Sequence, residues 1–179
     1  MNLQNLKKMK RIGMLLMFVL INNLLVDAQE KYHFTINSGK DTVVVYDAQN
    51  TVVLLYGKDV FTYRQTPIKR TKDKKKMVFS SPDKELGCVS SKKYRKIYTA
   101  DGSTYELKSG KKKLSYKKDG HICAVSNYSF NNRDKKIDVE MNVETEDLNL
   151  IPFLFQSTLA HILGTKEAEQ ALWMSLLLY

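Results

Sequence analysis

The chain has 179 residues, with 29 lysines and arginines against 19 aspartates and glutamates, a formal net charge of +10, and two cysteines. That length bounds the protein to one domain with a core large enough to fold without disulfide staples, so a stapled mini-protein is excluded. The basic excess points to anionic partners rather than to any fold.

Residues 1–28 carry the three parts of a secretory signal peptide: a basic start (Lys7, Lys8, Lys10, Arg11), an apolar core over 12–26, and the small-residue end Val26-Asp27-Ala28. No cysteine follows that core, so a lipoprotein anchor is not expected. The mature chain then begins at Gln29 and is exported to a periplasm or the exterior as a single domain over 29–179. Its charge falls to 25 basic against 18 acidic residues once four cations and Asp27 are removed. An oxidising compartment would allow Cys88 and Cys123 to pair, which adds about 3 to 4 kcal/mol in the chain-entropy picture. Both sit in apolar, strand-like runs, so a pair of buried free thiols is the other reading.

From residue 32 to 143 the pattern is strands and tight turns. Runs 43–46 (Val-Val-Val-Tyr) and 52–56 (Val-Val-Leu-Leu-Tyr) flank the polar Asp47-Ala48-Gln49-Asn50, which predicts a hairpin whose strands are covered on both faces. A further strand is predicted over 60–64. Lys69, Arg70, Lys72, Lys74, Lys75 and Lys76 then crowd 67–76, an exposed hairpin loop that is either simply solvated or docks on an acidic surface.

After 77–79 the chain turns at Ser81-Pro82-Asp83, resumes at Gly87-Cys88-Val89 and enters a meander. Its strands are predicted at 94–99, 104–108, 113–117 and from His121, with turns at Asp101-Gly102, Ser109-Gly110 and Asp119-Gly120. Asp-Gly is a strong hairpin signal because a type I′ turn needs positive φ at both central residues. Tyr105, Leu107, Leu114, Tyr116, Ile122 and Ala124 are the inward candidates. In the last strand Ile137, Val139, Met141 and Val143 alternate with Asp138, Glu140, Asn142 and Glu144, one face core and one face water.

The end of the chain changes character. Residues 151–163 predict a helix with Pro152 in its first turn and Gly164 past its end. Phe153, Leu154, Phe155, Leu159, Ile162 and Leu163 fall on most of its sides, and burying each stabilises by about 1.5 to 3 kcal/mol. Such a rod belongs inside something. A second helix is predicted over 166–178, capped by Thr165. Gln156, His161, Gly164 and the charges of 166–169 interrupt the stretch, so neither helix spans a bilayer. About a dozen short strands followed by an apolar helix make the chain mainly β: a closed antiparallel barrel of about 12 strands enclosing the C-terminal helix.

In this order the chain resembles the tubby-like β-barrel group, which includes the LURP-one-related proteins and the phospholipid scramblases. The pattern that carries the resemblance is Gly87-Cys88-Val89, the meander with Asp101-Gly102, the run Asp119-Gly120-His121-Ile122-Cys123-Ala124, then Ile137-Asp138-Val139-Glu140 and Asp147 leading into 150–163. The resemblance implies twelve strands wrapped around a hydrophobic helix, the role it gives to 151–163. This chain departs from the group in continuing past that helix and in its export signal. The extra segment is expected to cover the outside of the 43–46 and 52–56 strands.

Catalytic and metal chemistry is not expected. His33, His121 and His161 are scattered, His121 and Cys123 find no second donor pair for zinc, and neither cysteine has an evident base beside it. No cofactor is expected. The expected function is an exported, non-enzymatic binding module that touches anionic lipids or polymers through Lys69, Arg70, Lys72, Lys74, Lys75 and Lys76 and through Lys111, Lys112 and Lys113, with no nucleic acid as partner. The alternative is a carrier of a small apolar ligand, with the helices as a lid.

Overall fold

The computed structural model describes residues 29–165, except residues 39, 91–94, 132 and 145–147. Thirteen strands precede the C-terminal helix: β1 (Glu30–Asn37), β2 (Thr42–Asp47), β3 (Val52–Gly57), β4 (Phe61–Tyr63), β5 (Thr66–Pro67), β6 (Lys69–Asp73), β7 (Lys76–Ser80), β8 (Glu85–Ser90), β9 (Lys96–Thr99), β10 (Thr104–Gly110), β11 (Lys113–Lys118), β12 (His121–Asn131) and β13 (Lys136–Val143). One turn of 3-10 helix, Leu148–Leu150, leads into α1 (Ile151–Leu163).

All thirteen strands belong to one sheet, in the order β5-β4-β3-β2-β1-β13-β12-β11-β10-β9-β8-β7-β6. The two edges of that sheet, β5 and β6, are neighbours in sequence with only Ile68 between them. β5 pairs with β4 and β6 with β7. They are therefore the halves of one broken strand that changes partner midway, and through it a twelve-strand sheet nearly closes on itself. Pro67, with no N–H to give, suits the place where pairing with β4 stops. Ile68 is buried at the break and donates its N–H to Phe61 O at 2.7 Å. Phe61 of β4 and Phe79 of β7 meet edge to face across the same gap, 5.9 Å between centroids.

The helix fills the barrel. Eleven of the thirteen residues of α1 are buried, and the wall touches it from several sides. Phe155 packs edge to face on Phe34 of β1 (5.1 Å) and Tyr56 of β3 (5.2 Å), and Phe153 on Phe79 of β7 (4.9 Å). On another side three buried hydroxyls meet. Tyr116 Oη of β11 lies 2.7 Å from Thr158 Oγ1 and donates to Leu154 O at 3.3 Å, and Ser126 Oγ of β12 lies 3.1 Å from Thr158 Oγ1. The expectation of a buried rod inside a barrel holds: α1 is a plug, not a lid.

Several local expectations change. Among the described residues, the strands at 43–46 and 52–56 bury Val43, Val45, Val53 and Leu54, leave Val44 and Leu55 half-buried and expose Val52 to 47%; the segment expected over their outer face lies outside the described residues. The 67–76 segment is not a loop. It is the β6–β7 hairpin, with only 74–75 in the turn. The β10–β11 turn sits at Lys111 and Lys112, because Gly110 pairs with Lys113; the glycine marks the strand end and Lys112 takes the positive φ, 55°. Asp119 and Gly120 both have positive φ, as a type I′ turn requires, whereas at Asp101-Gly102 only the glycine does. Ile122 is not inward but 46% exposed. A bulge opposite Tyr116 and Lys117 puts the extra residue Cys123 inside, which turns Ile122 out.

Cys88 on β8 and Cys123 on β12 are free and buried, with three strands between theirs in the sheet, so the disulfide that export would allow is not formed. The signal segment and the second helix predicted over 166–178 lie outside the described residues.

Candidate functional site

In an antiparallel meander alternate connections share one end of the barrel. The β1–β2, β3–β4, β6–β7, β8–β9, β10–β11 and β12–β13 connections lie together, and the others lie at the opposite end. Charge follows this alternation. Among the described residues of the first set and the strand ends that flank them, thirteen are basic (Lys40, Lys58, Lys74, Lys75, Lys76, Arg95, Lys96, Lys111, Lys112, Lys113, Arg133, Lys135, Lys136) and four acidic (Asp41, Asp59, Asp73, Asp134). The opposite end has three basic residues, Arg64, Lys84 and Lys118, against seven acidic ones, Glu30, Asp47, Asp83, Glu85, Asp101, Asp119 and Glu144. The barrel is electrically polar along its axis.

The plug has the same polarity. Asn149, just before α1, shares a hollow with Glu85, Thr99 and Asp101 at the acidic end, and His161 near its other end feels Arg95 at the basic end. The partial positive charge of the helix N-terminus therefore faces the acidic connections, and the negative C-terminus faces the basic ones.

The nine basic residues singled out in the sequence separate into two groups. Lys74, Lys75, Lys76, Lys111, Lys112 and Lys113 all come to the basic end. Lys76 Nζ lies over the Tyr98 ring at 5.3 Å and Lys112 Nζ over Phe130 at 5.9 Å. Lys69, Arg70 and Lys72 lie along β6, where Lys69 and Lys72 are exposed and Arg70 half-buried. The guanidinium of Arg70 stacks 4.4 Å from the Tyr56 ring centroid and 5.4 Å from that of Phe61, and Nη2 donates to Gly57 O at 3.3 Å. Arg70 is thus a clamp across the gap in the barrel, not a free docking charge.

Above the clamp the gap widens into a cleft of about 630 Å³, where exposed Asp41, Lys58, Asp59 and Lys72 surround the less exposed Tyr56, Gly57, Arg70 and Met77. The sequence reading missed the cations of the other basic connections: Lys40, Lys58, Arg95, Lys96, Arg133, Lys135 and Lys136. None sits in a conspicuous run. Their signal is parity, since every second turn of a meander shares an end. Lys96 and Lys136 are partly answered by wall carboxylates, Glu106 at 2.8 Å and Asp138 at 3.4 Å.

The acidic end has ordered carboxylates of its own. Asp101 Oδ1 accepts from Thr99 Oγ1 (2.5 Å) and the Ser103 N–H (3.0 Å), and Oδ2 from Ser103 Oγ (3.0 Å). These bonds, the Thr99 hydroxyl first, hold its pKa down at about 2. Both thiols are pushed the other way, above their usual range, by burial. Among the described residues no three His, Cys, Asp or Glu side chains gather to hold a metal ion. Nor is any described helix long and apolar enough to cross a membrane.

No protein-family model matches this chain, and no curated protein matches it. A solved structure of a protein from Arabidopsis thaliana is similar over 74% of this chain and 89% of that one, at 12% identity and a TM-score of 0.34.

Proposed function

We propose that this protein is an exported, non-enzymatic binding module that docks its basic end onto an anionic surface, either lipid headgroups or an envelope polymer. The observation that carries the reading is the axial separation of charge: among the described residues, thirteen cations to four anions at one end and three to seven at the other. A basic residue held at an anionic bilayer is worth about 1 kcal/mol. A handful acting together therefore suffices for reversible docking, and the acidic end, repelled by the same surface, sets the orientation. The filled axis favours a working surface over a working interior, since α1 occupies the space in which an apolar cargo would ride. Kinship with the tubby-like barrel group belongs to the same proposal, supported by the twelve-strand wrap around a C-terminal helix.

The test is co-sedimentation with vesicles of mixed neutral and acidic phospholipids. Binding should appear with the acidic lipid and fade as salt rises, because exposed charges are screened beyond about 8 Å at physiological ionic strength. Reversing Lys74, Lys75, Lys111 and Lys112 to Glu should abolish it. Reversing wall cations such as Lys31, Lys108 and Lys117 should leave most of it. Equal loss from both sets would reduce the effect to net charge and defeat the reading.

A further inference from the structure

The break in the barrel leaves a sheet edge open. β6 pairs with β7 from Lys69 opposite Ser80 to Asp73 opposite Lys76, and residues 74–75 make the turn between them. The pair that closes a two-residue turn exchanges both of its backbone bonds, and along an antiparallel ladder such pairs alternate with pairs that exchange none. Asp73, Thr71 and Lys69 therefore bond to β7, while the N–H and C=O of Arg70 and Lys72 point the other way, into the gap. Ile68 has the same parity, and its N–H does reach across, to Phe61 O at 2.7 Å. Beyond it the walls part. Among the described residues no backbone bond answers Arg70 or Lys72, and the Arg70 side chain crosses instead, to Gly57 O at 3.3 Å.

The 630 Å³ cleft lies along these two residues, with Gly57, Lys58 and Asp59 on its far side. Two donors and two acceptors at strand spacing suit an extended backbone, which would add to the sheet as one more strand. The five residues of β6 offer it about 16 Å of edge. The side chains then select the strand. Lys69, Arg70 and Lys72 stand against Asp73 within β6, and Lys74, Lys75 and Lys76 follow at its turn. Like charges directly opposed across a ladder destabilise it and unlike charges stabilise it, so this edge repels a second copy of itself and favours acidic residues. Arg70 and Lys72 are opposite Phe79 and Met77 and share their face, so an acid at every second position of the added strand would lie beside both cations. Asp41 and Asp59 also line the cleft, so the attraction belongs to β6 rather than to the cleft as a whole.

We infer that the free edge of β6 is a docking site for an extended acidic segment of a partner protein, which pairs with the backbone of Arg70 and Lys72 and sets carboxylates beside their side chains. The site goes beyond the proposed docking to anionic surfaces, because it takes a strand, and charge alone does not fill it.

The probe is a short peptide alternating Thr and Glu, capped at both ends, fluorescently labelled and titrated against the mature protein by anisotropy. It should bind, and exchanging every Glu for Lys should weaken binding at least tenfold. Methylating the backbone nitrogens of one alternate set, all Glu or all Thr, should also weaken it at least tenfold, and methylating the other set should change little, because one edge of the strand faces β6. On the protein, Lys72→Thr removes a charge and keeps the edge N–H, whereas Lys72→Pro removes both without touching the β6–β7 ladder. The proline should weaken binding several-fold more than the threonine; if it prevents folding, the methylated peptides still decide. Lys111→Glu with Lys112→Glu, at another turn, should leave binding within about twofold. Absence of binding overturns the inference. So does equal binding by both methylated peptides, which would mean that charge alone holds the peptide, and so does loss from both, which would mean that it does not pair by one edge. Self-association of the mature protein that Lys72→Pro abolishes would seat a second copy on the edge and overturn it as well.

Discussion

At the level of single residues, the most consequential polar group is the threonine at the centre of the plug. Thr158 is fully buried and joins the hydroxyls of Tyr116 and Ser126, so the plug is keyed to β11 and β12 at one height and rotation. Burial pushes the Tyr116 phenol up to about 12, and the Thr158 hydroxyl opposes that shift. Thr158→Val keeps the volume, strands the buried Ser126 hydroxyl and takes from Tyr116 the shorter of its bonds, leaving it Leu154 O. It should cost about 1 to 3 kcal/mol in urea unfolding, against about 1 kcal/mol for Tyr116→Phe, which leaves Thr158 its bond to Ser126. His161, three residues on, gives a prediction in pH. Burial first, and the Arg95 charge second, hold its imidazole below the ordinary value of 6.5. The unfolded chain then takes up the proton before the folded one does. Stability falls as pH drops through about 6.5 toward the lower folded value, and levels off below it. His161→Asn should flatten that part of the stability–pH curve; an unchanged slope would mean that His161 does not set it.

At the level of elements, α1 was legible because no exposed position could accept so apolar a helix, and the structure buries Phe153, Leu154, Phe155, Leu159 and Ile162 nearly completely. Phe155 is one of its anchors, meeting Phe34 of β1 and Tyr56 of β3 edge to face. Phe155→Ala should destabilise by about 3 to 5 kcal/mol, read from the midpoint of denaturant unfolding. The strict alternation of β13 was equally legible, and Ile137, Val139, Met141 and Val143 are all inside. What the sequence hid are events of one residue. The bulge at Cys123 reverses the facing of Ile122, and a strand pattern read at period two carries no mark of an inserted residue. The break at Ile68 is likewise a change of partner without a change of extended conformation, so a run of cations across it reads as a loop. Gly87 had only its place in a short motif to mark it, yet a Cβ there would stand 2.2 Å from Tyr98 O with φ at +140°.

At the level of the whole molecule, the charge of this protein matters by its arrangement more than by its sum. Twelve strands in meander order turn a one-dimensional alternation of basic and acidic turns into two opposed ends, and a helix running from the acidic to the basic end adds a dipole that each end stabilises. This separates two explanations that a basic isoelectric point leaves tangled. If attraction to an anionic surface came from net charge, added cations anywhere would strengthen it. If it comes from the basic end, placement decides. Asp83→Lys with Asp119→Lys raises the net charge by four at the acidic end, and both side chains are exposed in connections, so the fold should tolerate them. Asp41→Lys with Asp134→Lys makes the same change at the basic end. In vesicle co-sedimentation at physiological salt, where screening acts over about 8 Å, the second pair should tighten binding several-fold and the first should leave it nearly unchanged. Equal tightening by both pairs would mean that the protein approaches the surface without a preferred end, and the axial arrangement would then have no part in docking.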